Sequence, residues 1–414
     1  MPADDADAAS PTTHDDGHIQ ARLEERLGVP FTRGNRVQAL RNGVEIFPAM
    51  LQAIEEASHS VELETFIYWS GEVAGRMAKA LADASRRGVE VRVLLDAAGC
   101  LPMDDELRTV MTQAGVEVRD FGPLRPWRFW ELDHRTHRKI LVCDGRLGFT
   151  GGVGIAEEWE GDARSPEEWR ETHFAVQGPA VQGLRGTFLE HWLAAGEEAD
   201  DATAQLPDWG GDVPSATTRE QNPGEGAEGG EARVQVIAST AAGRWSTAQT
   251  LFRALVDEAR HSVQITTAYF VPEPDVVDLL CGAAERGVEV DILHPGPHID
   301  HRVSQLAGEA VYPELLDAGV RIWRYQKSMI HAKVLIVDGV LSCIGSVNLN
   351  HRSAQKDDEV ALNVLDRGLA ARLSGHFHED LTVSEAVARE SLEENLPWWR
   401  RVAAKAASMV RAEV

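Results

Sequence analysis

The chain repeats itself. "AIEEASHSVELETFIYW" (Ala53 to Trp69) returns as "LVDEARHSVQITTAYFV" (Leu255 to Val271), and "RRGVEVRVLLD" (Arg86 to Asp96) as "ERGVEVDILHP" (Glu285 to Pro295). "AGVEVRDFG" (Ala114 to Gly122) returns as "AGVRIWRYQ" (Ala318 to Gln326), and "HRKILVCDG" (His137 to Gly145) as "HAKVLIVDG" (His331 to Gly339). Four matches in one order, at offsets of 194 to 204 residues, mean a duplicated domain. Whatever one copy folds into, the other must fold into as well.

Each copy reads helix, strand, helix, strand, helix, strand, hairpin. "SVELETFIY" alternates apolar and polar residues, as a half-buried strand does. "EVAGRMAKALADASRRG" carries apolar residues near a 3.6 period and ends on a glycine suited to the position just past a helix. Strands separated by helices predict an α/β class built of mixed layers.

Composition sets the boundaries. Net charge is −25 over 414 residues, but residues 1–20 and 196–231 supply −14 of it. The first predicts an acidic, largely disordered tail over residues 1–34. The second, rich in Gly, Pro and acids, predicts a flexible linker over 200–232. The first folded unit is then 35–199 and the second 233–392. An acidic surface argues against a nucleic-acid binder, which needs basic groups to neutralise phosphates. The four cysteines form no CxxC pair, so neither a zinc ribbon nor a redox motif is expected. The acidic, polar first twenty residues do not read as a signal peptide, and no apolar run is long enough to span a bilayer as a helix. A membrane role is expected to be peripheral.

The repeated hairpin carries the chemistry. Copy one has His137-x-Lys139, then Asp144, then Gly151-Gly152. Copy two has His331-x-Lys333, then Asp338, then Gly345-Ser346-x-Asn348, at the same spacing. Residues i and i+2 of a strand share a face, so each His and Lys project together. Asp-Gly is a two-residue hairpin turn, which gives Asp144 and Asp338 a structural duty. The returning strand brings its small residues back beside the His-Lys end, where backbone can approach a ligand closely. Two imidazoles and two ammonium groups from pseudo-symmetric halves suit phosphoryl transfer without a metal or cofactor. One imidazole attacks phosphorus, the other handles the proton, and the lysines stabilise the phosphoryl oxygens. One histidine must start neutral and the other protonated, so their surroundings must differ.

These residues resemble the HKD phospholipase D superfamily, and within it the bacterial cardiolipin synthases, over residues 35 to 385 or so. "AYFVPEPD" (Ala268 to Asp275), "HPGPHIDHRV" (His294 to Val303), "YPELLDAGVRIWRYQ" (Tyr312 to Gln326), "GSVNLNHRS" (Gly345 to Ser353) and "EEWRETHFAVQGPAV" (Glu167 to Val181) resemble the synthase subgroup. The resemblance implies two α/β/α sandwich domains with one active site at their interface. It places His137, Lys139 and Asp144 in the first catalytic motif, and His331, Lys333 and Asp338 in the second. It implies that His137 is the nucleophile and His331 the acid/base. Glu359 is expected to orient His137 across the interface, and Glu171 to orient His331. Gly152, Ser346 and Asn348 are expected at the phosphate.

The sequence also departs from that pattern. Gly154 stands where an Asn is usual, which predicts one phosphate-facing amide fewer in the first half. Asn350-His351 replaces the commoner Asp-Pro. The membrane-spanning helices of many synthases are missing, so a cytoplasmic protein peripheral to the inner face of the membrane is expected. Its partners would be anionic phospholipids such as phosphatidylglycerol and cardiolipin. "FGPLRPWRFWELDHR" (Phe121 to Arg135) suits a headgroup interface or a packed loop. The C-terminus, residues 393–414, predicts a basic amphipathic helix that lies on a membrane or docks on the second domain. Three functions compete: a phosphatidyltransferase making cardiolipin, a phosphodiesterase using water on phospholipid or nucleic acid, and a lipid-binding relic suggested only by Gly154. Oligomeric state is left open.

Overall fold

A computed structural model describes residues 16–123, 134–196, 231–240 and 247–389. The first half contains α1 (Asp16–Leu27), β1 (Thr32–Arg41), α2 (Asn42–Glu56), β2 (Ser60–Thr65), α3 (Glu72–Arg86), β3 (Glu90–Asp96), α4 (Asp105–Gln113) and β4 (Glu117–Phe121). It continues with β5 (Arg135–Thr136), β6 (Ile140–Cys143), β7 (Leu147–Gly151), β8 (Thr172–Gln177) and α5 (Ala180–Ala194). The second half contains β9 (Ala232–Ser239), α6 (Thr247–Asp257), β10 (Ser262–Thr266), α7 (Pro274–Glu285), β11 (Glu289–Pro295), α8 (Arg302–Glu309), α9 (Tyr312–Asp317) and β12 (Arg321–Tyr325). It ends with β13 (Val334–Val337), β14 (Leu341–Gly345), α10 (His351–Gln355), β15 (Asp357–Leu365), α11 (Arg367–Leu381) and β16 (Ser384–Ala386).

The strands run in the order β16-β12-β11-β10-β13-β14-β15-β9-β1-β8-β7-β6-β2-β3-β4. Read outward from the β9–β1 junction, the two halves follow the same order as far as β12 and β4, and the second half adds β16 at its edge. Each has antiparallel strands nearest the junction and then three parallel ones (β2-β3-β4 and β10-β11-β12). The two sheets are therefore one sheet, joined where Thr32 pairs with Val234 and Asn35 with Ala232.

Helices cover both faces. On one face, α2 and α3 bury Ile46, Phe47, Met77 and Leu81 against the first half, and α6 and α7 bury Leu251, Leu255 and Leu280 against the second. On the other face, α5 and α11 share a single core with strands of both halves, through Leu184, Phe188, Trp192, Leu369 and Leu373. This third cluster holds the halves in fixed relation, because its apolar residues are removed from water only when both are present. The layering is the α/β/α arrangement expected.

The N-terminal boundary is corrected. Residues 16–34 are not tail: α1 buries Ile19 and Leu23 in the core of the second half. Arg22 pairs with Glu258 at 2.7 Å and Arg26 with Asp257 at 2.9 Å. The acids of residues 1–15 dominated the composition and masked an apolar spacing of four, Ile19-Leu23-Leu27, that marks one helix face. The acidic linker, apart from its last residues, and the C-terminal basic segment lie outside the described residues. So do Arg125, Trp127, Arg128, Phe129 and Trp130 of the aromatic and arginine segment.

Candidate active site

Both His-x-Lys segments sit in short extended stretches that lead into a hairpin. The strand β5 pairs in parallel with the start of β15, Thr136 opposite Asp358, and the His137 amide donates to the Asp358 carbonyl at 2.9 Å. In the other half Ile330 bridges Arg170, and the His331 amide donates to the Arg170 carbonyl at 2.7 Å. Each histidine is thus hung on backbone from the opposite half, one residue before a glutamate.

Those glutamates reach the rings. Nδ1 of His137 lies 2.9 Å from both carboxylate oxygens of Glu359, and Nδ1 of His331 lies 2.8 Å from Oε2 of Glu171. The pairing is crossed, since each half orients the other half's imidazole. With the Nδ1 hydrogen donated to a carboxylate, each ring turns Nε2 away from its glutamate.

The lysines line up beside them. Lys139 donates to its own His137 carbonyl at 2.7 Å, and Lys333 likewise donates to the His331 carbonyl at 2.5 Å while lying 2.8 Å from Nδ1 and 3.1 Å from Nε2 of that ring. Histidines and lysines alike are buried, and both glutamates are 0% exposed. Burial dominates their protonation, because it penalises whichever form is charged. It drives both imidazoles well below the ordinary histidine pKa, with the neighbouring lysines adding to the effect. Burial also lowers Lys139 to about 8 and Lys333 to about 7, against the pull of nearby carboxylates. The same burial pushes Glu171 and Glu359 up to about 7. Without a bound anion the site is therefore built around neutral imidazoles.

The surroundings of the two rings differ. Glu359 accepts hydrogen bonds from the hydroxyls of Ser346 and Ser353. Glu171 instead accepts from the Trp159 indole at 3.3 Å and from the Thr172 amide at 2.9 Å. His331 is walled by aromatic rings, with Trp159 at 5.2 Å, Trp169 at 5.3 Å and Tyr269 at 6.3 Å between centroids. His137 has Phe66 at 5.4 Å.

This accounts for the small residue at Gly152 and for the departure at Gly154. A Cβ on Gly152 would sit 2.5 Å from Glu171 Oε2 and 2.8 Å from the His331 carbonyl, and one on Gly154 would sit 2.9 Å from the Trp159 ring. The indole occupies the volume that a side chain at 154 would need, and its N–H serves Glu171 much as the serine hydroxyls serve Glu359. In the second half Asn348 is buried, its backbone N–H donating to the Ser353 hydroxyl at 3.1 Å, while its side-chain oxygen has no protein partner among the described residues.

Asp144 and Asp338 are placed elsewhere. Both are at the hairpin turns in left-handed conformation, at φ 53° and 51°, each followed by a glycine at positive φ. Asp144 accepts from the amides of Ser58, His59 and Ser60, and Asp338 from those of Arg260, His261 and Ser262. Those amides open β2 and β10. Four residues of strand stand between the aspartates and the lysines, five steps of about 3.3 Å or roughly 16 Å. Membership of a catalytic motif is corrected to a structural duty, the one their Asp-Gly context implied.

Residues that sequence reasoning missed are Trp159, Trp169, Tyr269, Phe66 and Ser353. Ser353 lay inside the quoted "GSVNLNHRS", seven residues past Ser346. Trp159 and Trp169 come from the first half and reach His331 only when both halves are docked, whereas Tyr269 meets His331, and Phe66 meets His137, within one half.

A duplicated sheet with paired His-x-Lys hairpins meeting across its middle defines the phospholipase D-like class. A family profile described as "Cardiolipin synthase, PLD-like domain" matches residues 50–192 and 252–381. The chain is 33% identical to cardiolipin synthase 2 of Bacillus anthracis over 383 residues, covering 90% of this chain and 70% of that one. It is 32% identical to the cardiolipin synthase of Geobacillus kaustophilus over 385 residues, covering 92% and 73%. Its fold is similar to the crystal structure of phosphatidylserine synthase from Haemophilus influenzae, with a TM-score of 0.69 over 96% of this chain and 100% of that one, at 14% identity. The chain belongs to the cardiolipin synthase family of phospholipase D-like phosphatidyltransferases. No helix among the described residues is long and apolar enough to cross a membrane.

Proposed function

We propose that this phosphatidyltransferase makes cardiolipin, passing a phosphatidyl group through His137 to a glycerol hydroxyl of phosphatidylglycerol. The observation that carries the reading is the crossed pair of imidazole–glutamate contacts, His137 with Glu359 and His331 with Glu171. Nε2 of His137 attacks phosphorus and the P–O bond to the leaving headgroup breaks. His331 gives that alkoxide its proton. His331 then takes the proton of the incoming hydroxyl, whose oxygen attacks phosphorus and breaks the P–N bond. The arriving phosphodiester supplies the negative charge that restores a proton to one imidazole. Lys139, Lys333 and Asn348 bind the phosphoryl oxygens, and charge stabilisation there lowers the barrier.

The asymmetry between the rings supports this division. Glu359, tied by two serine hydroxyls, fixes the His137 ring as a nucleophile requires, by the logic of an orienting carboxylate in a hydrolase triad. The aromatic wall at His331 keeps bulk water from the base that activates the acceptor. Work at the surface of membranes rich in anionic phospholipid, on their cytoplasmic face, is part of the same proposal.

Purified protein with phosphatidylglycerol vesicles, without divalent metal and with products resolved by mass, tests it. Cardiolipin with release of glycerol supports the reading. Phosphatidic acid as sole product would replace it with hydrolysis, and no turnover would reject both.

A further inference from the structure

A second pattern of charge crosses the seam. The residue before each orienting glutamate is itself a buried charge, Asp358 before Glu359 and Arg170 before Glu171. Each is gripped by an opposite charge from the long helix of the other half. Arg170 meets Asp380 of α11, with Nη2 at 2.9 Å from Oδ2. Asp358 meets His191 of α5, with Nε2 at 2.9 Å from Oδ2, an ion pair rather than a well-aligned hydrogen bond. The other nitrogen of His191, Nδ1, lies 2.6 Å from Oε1 of Glu64, which also accepts from the Thr136 hydroxyl at 2.6 Å. His134 completes the cluster, 2.8 Å from Oδ2 of Asp358, and Phe121 lies over His191 at 4.4 Å.

A neutral imidazole has one N–H and one lone pair, so it can satisfy one carboxylate and must repel the other. His191 stands between two carboxylates, and only the imidazolium serves both. Among the described residues the other charged groups nearby include Arg138, whose guanidinium bonds the Thr187 carbonyl and Glu190, together with Arg135 and Asp96 at the end of β3. The chemistry proposed for the active site uses none of this cluster. Yet Asp358 carries the carbonyl that holds the His137 amide, and its neighbour Glu359 aims the His137 ring.

We infer that His191 is a positioning residue for the nucleophile: as an imidazolium between Glu64 and Asp358 it holds β5 against β15 in the register that keeps His137 on Glu359. The inference rests on the reading of His137 as nucleophile. It makes the two clamps unequal, because an imidazolium can lose its proton in the working range and a guanidinium cannot. Burial pulls the His191 pKa down, and the Glu64 and Asp358 carboxylates more than offset it, leaving it raised. A raised histidine pKa means the clamp is whole below that pKa and is lost as pH rises through it.

The test is His191→Gln in the full chain, with Asp358→Asn as a second variant that keeps side-chain size and the backbone carbonyl. Each is assayed on phosphatidylglycerol labelled in its phosphate, by steady-state kinetics and by the rate at which label appears on His137 after acid quench. Labelling of His137 and kcat should each fall about 10 to 100-fold, with KM within about twofold of the parent protein, since phosphate contacts stay in place. The ratio of parent to His191→Gln rates should be largest at low pH and shrink as pH rises. Label reaching His137 at the parental rate in both variants overturns the inference while leaving the nucleophile in place, and so does a rate ratio that stays constant with pH. Absence of label from His137 in the turning-over parent protein overturns the reading beneath it, and the inference with it.

Discussion

Glu359 follows His137 by 222 residues in the chain and stands 2.9 Å from its Nδ1. It arrives from the opposite half of the molecule, and Glu171 makes the reciprocal contact with His331. Neither half can orient its own histidine. Glutamine at either position keeps the shape and loses the charge that fixes the ring and stabilises its protonated form. Glu359→Gln and Glu171→Gln are expected to lower kcat by about 10² to 10⁴-fold, the range seen when an orienting carboxylate is neutralised. Circular dichroism and melting temperature should stay near those of the parent protein, and a kcat within twofold of it would contradict the role.

The two halves should respond differently to the same exchange at equivalent positions. Gly152→Ser places a Cβ 2.5 Å from Glu171 Oε2, which pushes the carboxylate off His331. Its kcat should fall about as far as that of Glu171→Gln, for the same reason. Ser346→Gly removes one of two hydroxyls on Glu359 and leaves Ser353 in place, so about a tenfold loss is expected, near the worth of one hydrogen bond to a charged group. Steady-state kinetics on the two variants side by side checks the asymmetry.

Asp144 and Asp338 are expected to matter for stability. Each gathers three backbone amides at the start of a parallel strand. Asp144→Ala and Asp338→Ala should each lower unfolding free energy by about 2 to 3 kcal/mol, while kcat per folded molecule stays close to normal. The amides hold the Asp144 carboxyl below its ordinary pKa although burial opposes them. Its contribution is therefore present above the unfolded pKa and lost as pH falls through the folded one. Denaturant titration at neutral and acid pH checks both statements.

Sequence and structure agree most closely where both copies speak. The repeat, the helix-strand alternation and the His-x-Lys spacing describe local chain, so they were visible as pattern. The Asp-Gly pairs announced their turns because positive φ at two successive residues has few sequence solutions. Glu171 and Glu359 were reachable only through resemblance, since nothing local distinguishes a carboxylate that crosses to another half. Trp159 and Gly154 form one feature that pattern cannot join, an indole taking the space of a missing side chain. The helix α1 was hidden by the acids ahead of it, and its partners Asp257 and Glu258 lie over 200 residues away.

Alkaline pH should weaken the enzyme before acid does. Burial lowers Lys333 to about 7 and Lys139 to about 8. Both ammonium groups are charged below those values and lose charge as pH rises through them. A phosphodiester then meets less positive charge. The free-enzyme profile, kcat/KM for phosphatidylglycerol, should fall between about pH 7 and 9. Lys333→Arg should move that limb to higher pH even at lower absolute rate, because a guanidinium keeps its proton. A flat profile to pH 9 would contradict the assignment of the lysines to the phosphate.

The account stands on one imidazole from each half serving a single phosphorus, with His137 carrying the group between donor and acceptor. Acid quench of the enzyme turning over phosphate-labelled phosphatidylglycerol, followed by peptide mapping, measures this directly. Label on the His137 peptide, gone in His137→Asn, is the predicted result. Label on His331 instead, or none on either histidine in an enzyme that forms product, would contradict it.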